Sequence, residues 1–283
     1  MDNTTLALWI RVFYLGASAL ILILECVPNL RRRFLVYGQR YTPAGNAAHQ
    51  SKQKTQPTVL DHALDYAASI QVPHNYFTHF YIVSVASSLF WGWHLQLWKA
   101  GGMLQMSWML MLLQGTRRML ESQKYTSSSQ SKMWVGHWVL GWLYYLCMNV
   151  ALWVESEPAN KFNYLGWRAI VLVPAILTAH YLQHTYHAYL YKLRSQNTGY
   201  QLPSHPLFPN LICPHYSCEI AIYTLLSFLA APKGSLVNWT VVTADIFVIV
   251  NLAVTANATK NWYAEKFGEN KVRSRKRMIP FVW

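Results

Sequence analysis

Seven apolar stretches of roughly bilayer-spanning length divide the chain, and they constrain its fold more than any other feature. Only 12% of the 283 residues are charged, whereas soluble domains carry about 25% charged residues. About 20 apolar residues cross a bilayer core, and a crossing segment must be helical because unpaired backbone groups are costly in lipid. We therefore predict an all-α integral membrane protein with about seven transmembrane helices. The stretches cover residues 6–27, 76–98, 103–121, 134–154, 165–190, 218–231 and 236–256.

Basic residues alternate with these stretches in a way that predicts orientation in the membrane. The formal net charge is +13, and most Lys and Arg residues fall in the segments 28–75, 117–132, 191–217 and 257–277. Because cytosolic connections are enriched in basic residues, this bias places the N-terminus on the lumenal side and the C-terminus in the cytosol. The charges form short separate runs rather than one patch, so no nucleic-acid partner is predicted.

Cysteine usage and one polar stretch add two smaller expectations. Cys26, Cys147, Cys213 and Cys218 form neither a CxxC pair nor a metal-ligand spacing, and free thiols are therefore expected. Residues 42–57 are polar and are predicted to form a mobile cytosolic loop.

A run of polar side chains interrupts the fifth apolar stretch. His180, His184 and His187 are spaced i, i+4, i+7, so a helix presents them on one face, and Gln183 lies in the same run. Ionisable groups inside membrane segments are rare and usually functional. Three interpretations stay open: a polar helix end entering the cytosol, the polar wall of a ligand cavity, and a zinc site. No acidic residue shares the segment, and we do not predict a metal.

Two further clusters combine charge with helix-end signals. In CPHYSCE (213–219) the proline favours a helix start just after Cys213, which puts Glu219 in the first turns of an apolar helix. That carboxylate either balances the positive helix end or accepts hydrogen bonds from a bound amide or ribose. The segment QGTRRMLE (114–121) ends the third stretch, and its two arginines either anchor the helix or hold phosphates.

The C-terminal segment is basic and aromatic together. It contains NWYAEKF (261–267) and SRKRMIPF (274–281), and it closes with the apolar residues IPFVW. A plain basic tail binds anionic lipid headgroups. The apolar ending instead predicts that the tail docks back onto the helix bundle, where its basic residues can close over an anionic cofactor.

Several of these motifs occur together in one known family. The pattern YxLP…LF…CPHYxxEIxIY, followed by NWYxEKF and SRKRMIPF, resembles the steroid 5-alpha-reductase family. The segments VPHNYFTHFY (72–81) and QGTRRxxE resemble its polyprenol (polyprenal) reductase branch. The resemblance spans roughly residues 70–283. It implies a seven-helix, multi-pass protein of the endoplasmic reticulum membrane that uses NADPH to reduce an activated carbon–carbon double bond.

The resemblance also implies the substrate and a division of the chain. The substrate is a long-chain polyprenyl lipid, saturated at its α-isoprene unit on the route to dolichol and protein N-glycosylation. Membrane lipids surround the protein, and no obligate protein partner is implied. Residues 1–70 supply a first transmembrane helix and a polar cytosolic loop. Residues 71–175 form substrate-side transmembrane helices, and residues 176–283 form the NADPH-binding reductase region of a single membrane domain.

Site residues follow from the positions that match the family motifs. Gln183 and His187 stand where the family often has Asn and Asp. His215 matches a frequent Asn, and Lys260 falls where a His is common. No GxGxxG segment occurs, so a Rossmann-type cofactor site is not supported. Arg117 and Arg118 are added because guanidiniums on the cytosolic side suit the phosphates of the cofactor. The expected cofactor-binding residues are thus Arg117, Arg118, Gln183, Arg194, His215, Glu219, Lys260, Tyr263 and Arg275.

The chemistry of hydride transfer narrows the substrate and suggests catalytic residues. An alkene conjugated to an aldehyde accepts hydride at its β-carbon because the negative charge spreads onto the carbonyl oxygen, which favours polyprenal over polyprenol. A polar group must stabilise that oxygen, and a proton must reach the α-carbon. The catalytic candidates are Gln114, His187 and Tyr263, with protonated His215 as a further donor. A 3-oxo steroid or enoyl-thioester reductase of the same fold, and a non-enzymatic transporter or receptor, remain alternatives.

Overall fold

The computed structural model describes residues 2–35, 58–125, 131–156, 166–196, 199–280 and 282–283, and it is mostly helical. Each of the seven predicted stretches coincides with one long helix. The predicted loop over residues 42–57 lies outside the described residues. The helices are α1 (Asn3–Cys26), α2 (Pro28–Phe34), α3 (Val59–Ser69), α4 (Phe77–His94), α5 (Gly102–Lys124), α6 (Val135–Val154), α7 (Trp167–Ser195), α8 (Pro214–Leu229), α9 (Trp239–Phe267) and α10 (Glu269–Val272).

Three of the described helices, α1, α6 and α9, are long and apolar enough to cross a membrane. Helix α8 has 16 residues, which at about 1.5 Å per residue is shorter than a hydrocarbon core about 30 Å thick. Helices α5 and α7 carry the arginine and histidine clusters, which lower their hydropathy. The long helices confirm the helical class of the fold, whereas seven membrane crossings remain a prediction.

Local sequence signals set several helix boundaries. Pro214 begins α8, and Cys213 before it has φ −126° and ψ 57°, a non-helical conformation that a following proline favours. The helix thus begins at Pro214 rather than at residue 218, because proline suits a first helical turn. At the start of α3, Thr58 and Asp61 form a reciprocal capping box that satisfies two backbone N–H groups.

A short two-stranded sheet departs from the all-helical prediction. Strand β1 (Gln71–Pro73) pairs antiparallel with β2 (Lys132–Trp134), and Val72 lies opposite Met133. Strands of three residues are too short to give a periodic signal in the sequence. The pairing holds the segment before α4 against the segment before α6, so these two helices start side by side.

One apolar core runs through the bundle and draws on all three predicted segments of the chain. Tyr14, Met148, Leu226 and Val241 are fully enclosed members of it. Large apolar side chains also cover the outside of the bundle, as on Ile170, which is 71% exposed. Such a surface is typical of contact with lipid.

Asn238 ties three helices together at one end of the bundle. Its side chain is fully buried and donates to the backbone carbonyls of Ala151 in α6 (2.9 Å) and Ala230 after α8 (3.3 Å). Its oxygen accepts from the Val241 N–H at 3.0 Å and so caps α9. Buried polar groups are stable only with such partners.

The C-terminal segment folds back onto the bundle, as its apolar ending predicts. The Ile212 N–H donates to the Lys276 carbonyl at 3.0 Å, and the Cys213 N–H donates to the Arg277 carbonyl at 2.8 Å. Met278 is buried and packs with Ile212 and Cys213 in a second, smaller apolar cluster. The tail therefore covers the start of α8, close to Glu219. Within the described residues, the four cysteines form no disulfide.

Candidate active site

The histidine run of α7 faces α5, where it meets the arginine cluster. His180 Nδ1 lies 3.3 Å from Arg117 Nε, and His187 Nδ1 lies 3.0 Å from Arg118 Nη1. His184 lies on the same face, as the i, i+4, i+7 spacing predicts. The partners are 63 and 69 positions apart in sequence, so only the folded chain brings the two clusters together.

The Glu121 carboxylate lies at the centre of this contact and is buried. It accepts hydrogen bonds from Arg117 Nη1 and Arg118 Nη1, each at 2.6 Å. The Nδ1 atoms of His184 and His187 lie 2.7 and 2.8 Å from the same carboxylate. Because a desolvated carboxylate is costly unless its partners are complete, Glu121 fixes the positions of both arginines and of His187.

A second carboxylate, that of Glu219 in α8, joins the same cluster. Gln114 Nε2 donates to Glu219 Oε1 at 2.9 Å, and Gln183 Nε2 donates to the other carboxylate oxygen. Arg117 Nη2 donates to Gln114 Oε1 at 2.7 Å and to the Gln183 side-chain oxygen. The two amides thus bridge an arginine and a glutamate, and they join α5, α7 and α8 in one polar layer.

A cavity of about 510 Å³ lies against this polar layer. Its volume falls within the range of about 300–1,000 Å³ that is typical of ligand sites. Helices α5, α7 and α8 supply the two arginines and the glutamate of its lining, whereas α4, α6 and α9 supply most of its aromatic and apolar surface. The polar wall consists of Arg118, Gln183, His187, Arg194, His215 and Glu219. The aromatic wall includes Phe77, Phe80, Leu140, Tyr144, Tyr145 and Phe247.

The predicted site residues fall into three groups in the structure. The six residues of the polar wall line the cavity. Gln114 and Arg117 lie behind that wall, and Gln114 is fully buried with its amide engaged on both sides. Lys260, Tyr263 and Arg275 lie outside the lining, near the docked tail.

The third group holds the tail in place. Lys260 Nζ donates to the Arg275 backbone carbonyl at 2.6 Å, and the Arg275 guanidinium donates to the Pro203 carbonyl. Tyr263 packs against the small apolar cluster that contains Met278. These contacts connect α9, the loop before α8 and the tail, beside the polar wall.

The structure also brings Glu121 and Tyr81 to the site, two residues that the sequence does not single out as site residues. Glu121 follows the two arginines at i+4 and i+3, a spacing that permits ion pairs on one helix face and that is a usable signal. Tyr81 lines the cavity, and its hydroxyl accepts a hydrogen bond from Arg118 Nη2 at 2.7 Å. Nothing in the sequence indicates that pairing, because the two residues are 37 positions apart on different helices.

The structure assigns different environments to the three histidines. His187 lines the cavity, which fits the cavity-wall interpretation, and His180 is buried behind it. The His184 side chain is 47% exposed, although α7 continues for eleven residues beyond it. Within the described ranges, no group of three or more His, Cys, Asp or Glu side chains is arranged to hold a metal ion.

Comparison with known proteins connects these features with one family. Residues 131–283, more than half of the chain, match the family described as 3-oxo-5-alpha-steroid 4-dehydrogenase. The chain belongs to this family. The match confirms the resemblance drawn from the CPHYxxEIxIY and SRKRMIPF motifs, and it identifies the protein as an oxidoreductase.

Several relatives are named for polyprenal. Polyprenal reductase of Saccharomyces cerevisiae is 30% identical over 282 residues, which cover 95% of this chain and 92% of that protein. Polyprenal reductase of Danio rerio is 31% identical over 179 residues, which cover 59% of this chain and 56% of that protein. Polyprenal reductase 1 of Arabidopsis thaliana is 25% identical and covers 98% of this chain and 97% of that protein. These matches support the polyprenal branch of the resemblance.

Proposed function

We propose that this oxidoreductase is an NADPH-dependent polyprenal reductase of the endoplasmic reticulum membrane. It saturates the α-isoprene double bond and so yields the precursor of dolichol. The observation that carries the proposal is a cavity whose lining combines the polar wall, with two arginines, and the aromatic wall. Such a cavity suits an anionic dinucleotide beside an isoprenoid, and the yeast polyprenal reductase is similar over nearly the whole chain.

The proposal includes seven membrane crossings, with the N-terminus lumenal and the C-terminus cytosolic. The bias of basic residues along the sequence supports this orientation. The exposed apolar side chains of Trp9 in α1 and Ile170 in α7 support contact with lipid. In this orientation the cavity and the docked tail lie at the cytosolic end of the bundle, where NADPH is available.

The polar wall contains the donor set that a dinucleotide requires. Arg194 lines the cavity and forms no ion pair within the described part of the chain, so its guanidinium is available for a phosphate. His215 Nδ1 is buried without a hydrogen-bond partner among the described residues, and Glu219 supplies acceptor oxygens. These groups suit the ribose and the carboxamide. When bound, NADPH supplies the hydride.

The expected substrate is the aldehyde rather than the alcohol. Conjugation to the carbonyl makes the β-carbon electron-poor, and the negative charge that develops resides on the carbonyl oxygen. The protein must therefore present a hydrogen-bond donor to that oxygen. Among the three predicted catalytic residues, His187 lines the cavity, whereas Gln114 lies behind the polar wall and Tyr263 lies beside the tail.

The aromatic wall accounts for the isoprenoid chain. Phe77, Phe80 and Leu140 line the cavity with rings and methyl groups, and Gly141 lies against the Phe80 ring. Burial of apolar surface contributes roughly 25 cal/mol per Å², so successive isoprene units are stabilised there without hydrogen bonds. The aromatic wall thus provides affinity for the isoprenoid chain of the substrate, whereas the polar wall positions its aldehyde group.

Product analysis tests the proposal. The purified protein is incubated with NADPH and with polyprenal, polyprenol or a 3-oxo-4-ene steroid, and the products are analysed by mass spectrometry. We expect a gain of two hydrogens on polyprenal and none on polyprenol. The steroid represents the reaction that the family description names, and reduction of the steroid alone would overturn the proposal.

A charge-matched pair of variants tests the cofactor side. Arg194→Ala removes a guanidinium from the cavity wall, and we expect a higher KM for NADPH with little change in the KM for polyprenal. Lys99→Ala removes one positive charge from an exposed residue between α4 and α5 that does not line the cavity. We expect this variant to behave as the parent. Equal effects of both substitutions would contradict the assignment of Arg194. Replacement of NADPH by NADH tests the contribution of the 2′-phosphate.

A further inference from the structure

One tyrosine on the cavity wall is held by an arginine. The Tyr81 hydroxyl oxygen accepts a hydrogen bond from Arg118 Nη2 at 2.7 Å, and the Arg118 guanidinium lies 4.8 Å from the centre of the Tyr81 ring. Both residues line the cavity, and Tyr81 is 7% exposed. Because the hydroxyl oxygen is the acceptor in this contact, its own hydrogen points away from Arg118 and is free to donate to a ligand.

We propose that Tyr81 is a catalytic residue, which donates the hydrogen bond and then the proton to the carbonyl oxygen of the substrate. The inference rests on the proposed function and names the group that performs its acid step. The positive charge of Arg118 lies where it stabilises the phenolate that forms when the proton leaves.

The position of Arg118 is itself fixed. Its Nη1 atom donates to Glu121 Oε2 at 2.6 Å, and Glu121 also contacts His187. A guanidinium with one edge held by a carboxylate keeps its other nitrogen directed at Tyr81. The tyrosine is thus oriented by a chain of contacts that begins in the polar layer.

Three other tyrosines of the cavity lack this combination. Tyr144, Tyr145 and Tyr223 line the cavity, but no arginine contacts their hydroxyl groups among the described residues. Gln114 is fully buried and engaged with Glu219. Tyr81 therefore combines access to the cavity, a free hydrogen and a neighbouring positive charge.

The step balances in atoms and electrons. Hydride addition forms the C–H bond at the β-carbon, and the electron pair of the alkene moves to the carbonyl oxygen. The Tyr81 O–H bond breaks as the new O–H bond forms, which gives an enol and a phenolate beside Arg118. The enol becomes the saturated aldehyde when the α-carbon takes a proton from water and the enol proton returns to Tyr81. The alkene is reduced, the nicotinamide is oxidised, and one solvent proton is consumed.

Tyr81→Phe tests the assignment, with Tyr181→Phe as the matched control because Tyr181 is 67% exposed on α7. Loss of one donor to a developing oxyanion lowers kcat by about 100- to 1,000-fold, and we expect that loss in Tyr81→Phe with a nearly unchanged KM for NADPH. Tyr181→Phe should retain parental kcat. Quenching or enhancement of NADPH fluorescence on binding shows that the variant is folded.

A spectroscopic measurement separates a direct role from a structural one. The saturated aldehyde, labelled with carbon-13 at the carbonyl, is bound to the protein and its carbonyl stretch is recorded by infrared spectroscopy. We expect a lower frequency in the parent than in Tyr81→Phe, because only the parent donates a hydrogen bond to that oxygen. Equal frequencies, or parental kcat in Tyr81→Phe, would overturn the role of Tyr81. Failure of the parent itself to reduce polyprenal would instead contradict the proposed function.

Discussion

The Glu121 carboxylate of α5 and the His187 ring of α7 lie 2.8 Å apart, where the arginine cluster meets the cavity. This contact joins two helices whose clusters are far apart in sequence. It also connects a residue that does not line the cavity, Glu121, with one that does. The geometry of the polar wall therefore depends on a carboxylate one layer behind it.

Replacement of Glu121 by Gln should destabilise the protein strongly. The substitution leaves the Arg117 and Arg118 guanidiniums without their shared counter-charge in a buried position. Breaking a buried ion pair by removal of one partner costs about 3–5 kcal/mol. We expect a loss of that size in the free energy of unfolding, measured by denaturant titration in detergent micelles.

Glu25→Gln provides the control for this prediction. Glu25 pairs with Arg31 at 3.2 Å, and their side chains are 20% and 36% exposed. Pairs with this degree of exposure contribute about 0–1 kcal/mol, so little change is expected. A loss below about 1 kcal/mol in Glu121→Gln as well would show that the carboxylate does not organise the arginines.

Gly141→Ala should narrow the cavity at its aromatic wall. A methyl group at Gly141 would lie 2.6 Å from the ring of Phe80, and both residues line the cavity. The buried ring must move, and overpacking of this kind costs about 1–3 kcal/mol. We expect lower stability and a higher KM for polyprenal, measured by unfolding and by initial rates.

Gly16→Ala is expected to raise stability and serves as the control for Gly141→Ala. No atom lies within 4 Å of a methyl group placed at Gly16 in α1. Alanine is favoured over glycine by about 1 kcal/mol inside a helix, so a small gain in stability is expected. Similar effects of the two substitutions would contradict the steric argument for Gly141.

Asn238→Ala should destabilise the end of the bundle opposite the site. It removes an N-cap worth about 1 kcal/mol and leaves buried carbonyls unpaired at about 1–3 kcal/mol. We expect a loss of about 2–4 kcal/mol in the free energy of unfolding. Asn238→Ser keeps a capping oxygen but lacks the amide donors, so its loss should be intermediate. An unchanged unfolding midpoint in Asn238→Ala would count against the role of these hydrogen bonds.

Acid should loosen the attachment of α3. Hydrogen bonds from Thr58, and then contacts with Arg33 and Asn29, lower the pKa of the Asp61 carboxyl from 3.8 to about 2. A depressed pKa in the folded state stabilises the fold above the unfolded pKa and loses this effect as the pH falls through the folded pKa. The contribution of Asp61 is therefore complete above about pH 4 and lost toward pH 2.

Pepsin, which is active in this range, provides the measurement. Cleavage within α3 (Val59–Ser69), relative to a short unstructured reference peptide at the same pH, should accelerate between pH 4 and pH 2 in the parent. In Asp61→Asn the relative rate should be higher at pH 4 and should change little toward pH 2. The same pH dependence in both proteins would rule out Asp61 as its source.

Part of the site could be predicted from the sequence, because the spacing of residues along one helix determines which side chains share a face. The i, i+4, i+7 spacing predicts the shared face of His180 and His187, and Pro214 predicts the start of α8. The cavity lining includes Gln183, Arg194, His215 and Glu219, which the family motifs suggested. Their roles toward a cofactor stay predictions until variants are measured.

Contacts between distant segments could not be predicted in the same way. Burial of Gln114 behind the polar wall depends on Glu219 of α8, which lies 105 positions away. Tyr81 meets Arg118 because α4 and α5 pack as neighbours. A single sequence carries no signal for such pairs, since neither spacing nor composition encodes which helix faces meet.

The position of Glu121 on the same helix as Arg117 and Arg118 has a consequence for biosynthesis. In the proposed seven-helix topology α5 is inserted before α7 is translated, so its two arginines enter the membrane without their histidine partners. A carboxylate one turn away provides a counter-charge within the nascent helix itself, which lowers the cost of moving that segment into lipid. In that topology the Glu121 ion pairs are available within α5 alone, and the contacts with α7 and α8 complete the polar layer.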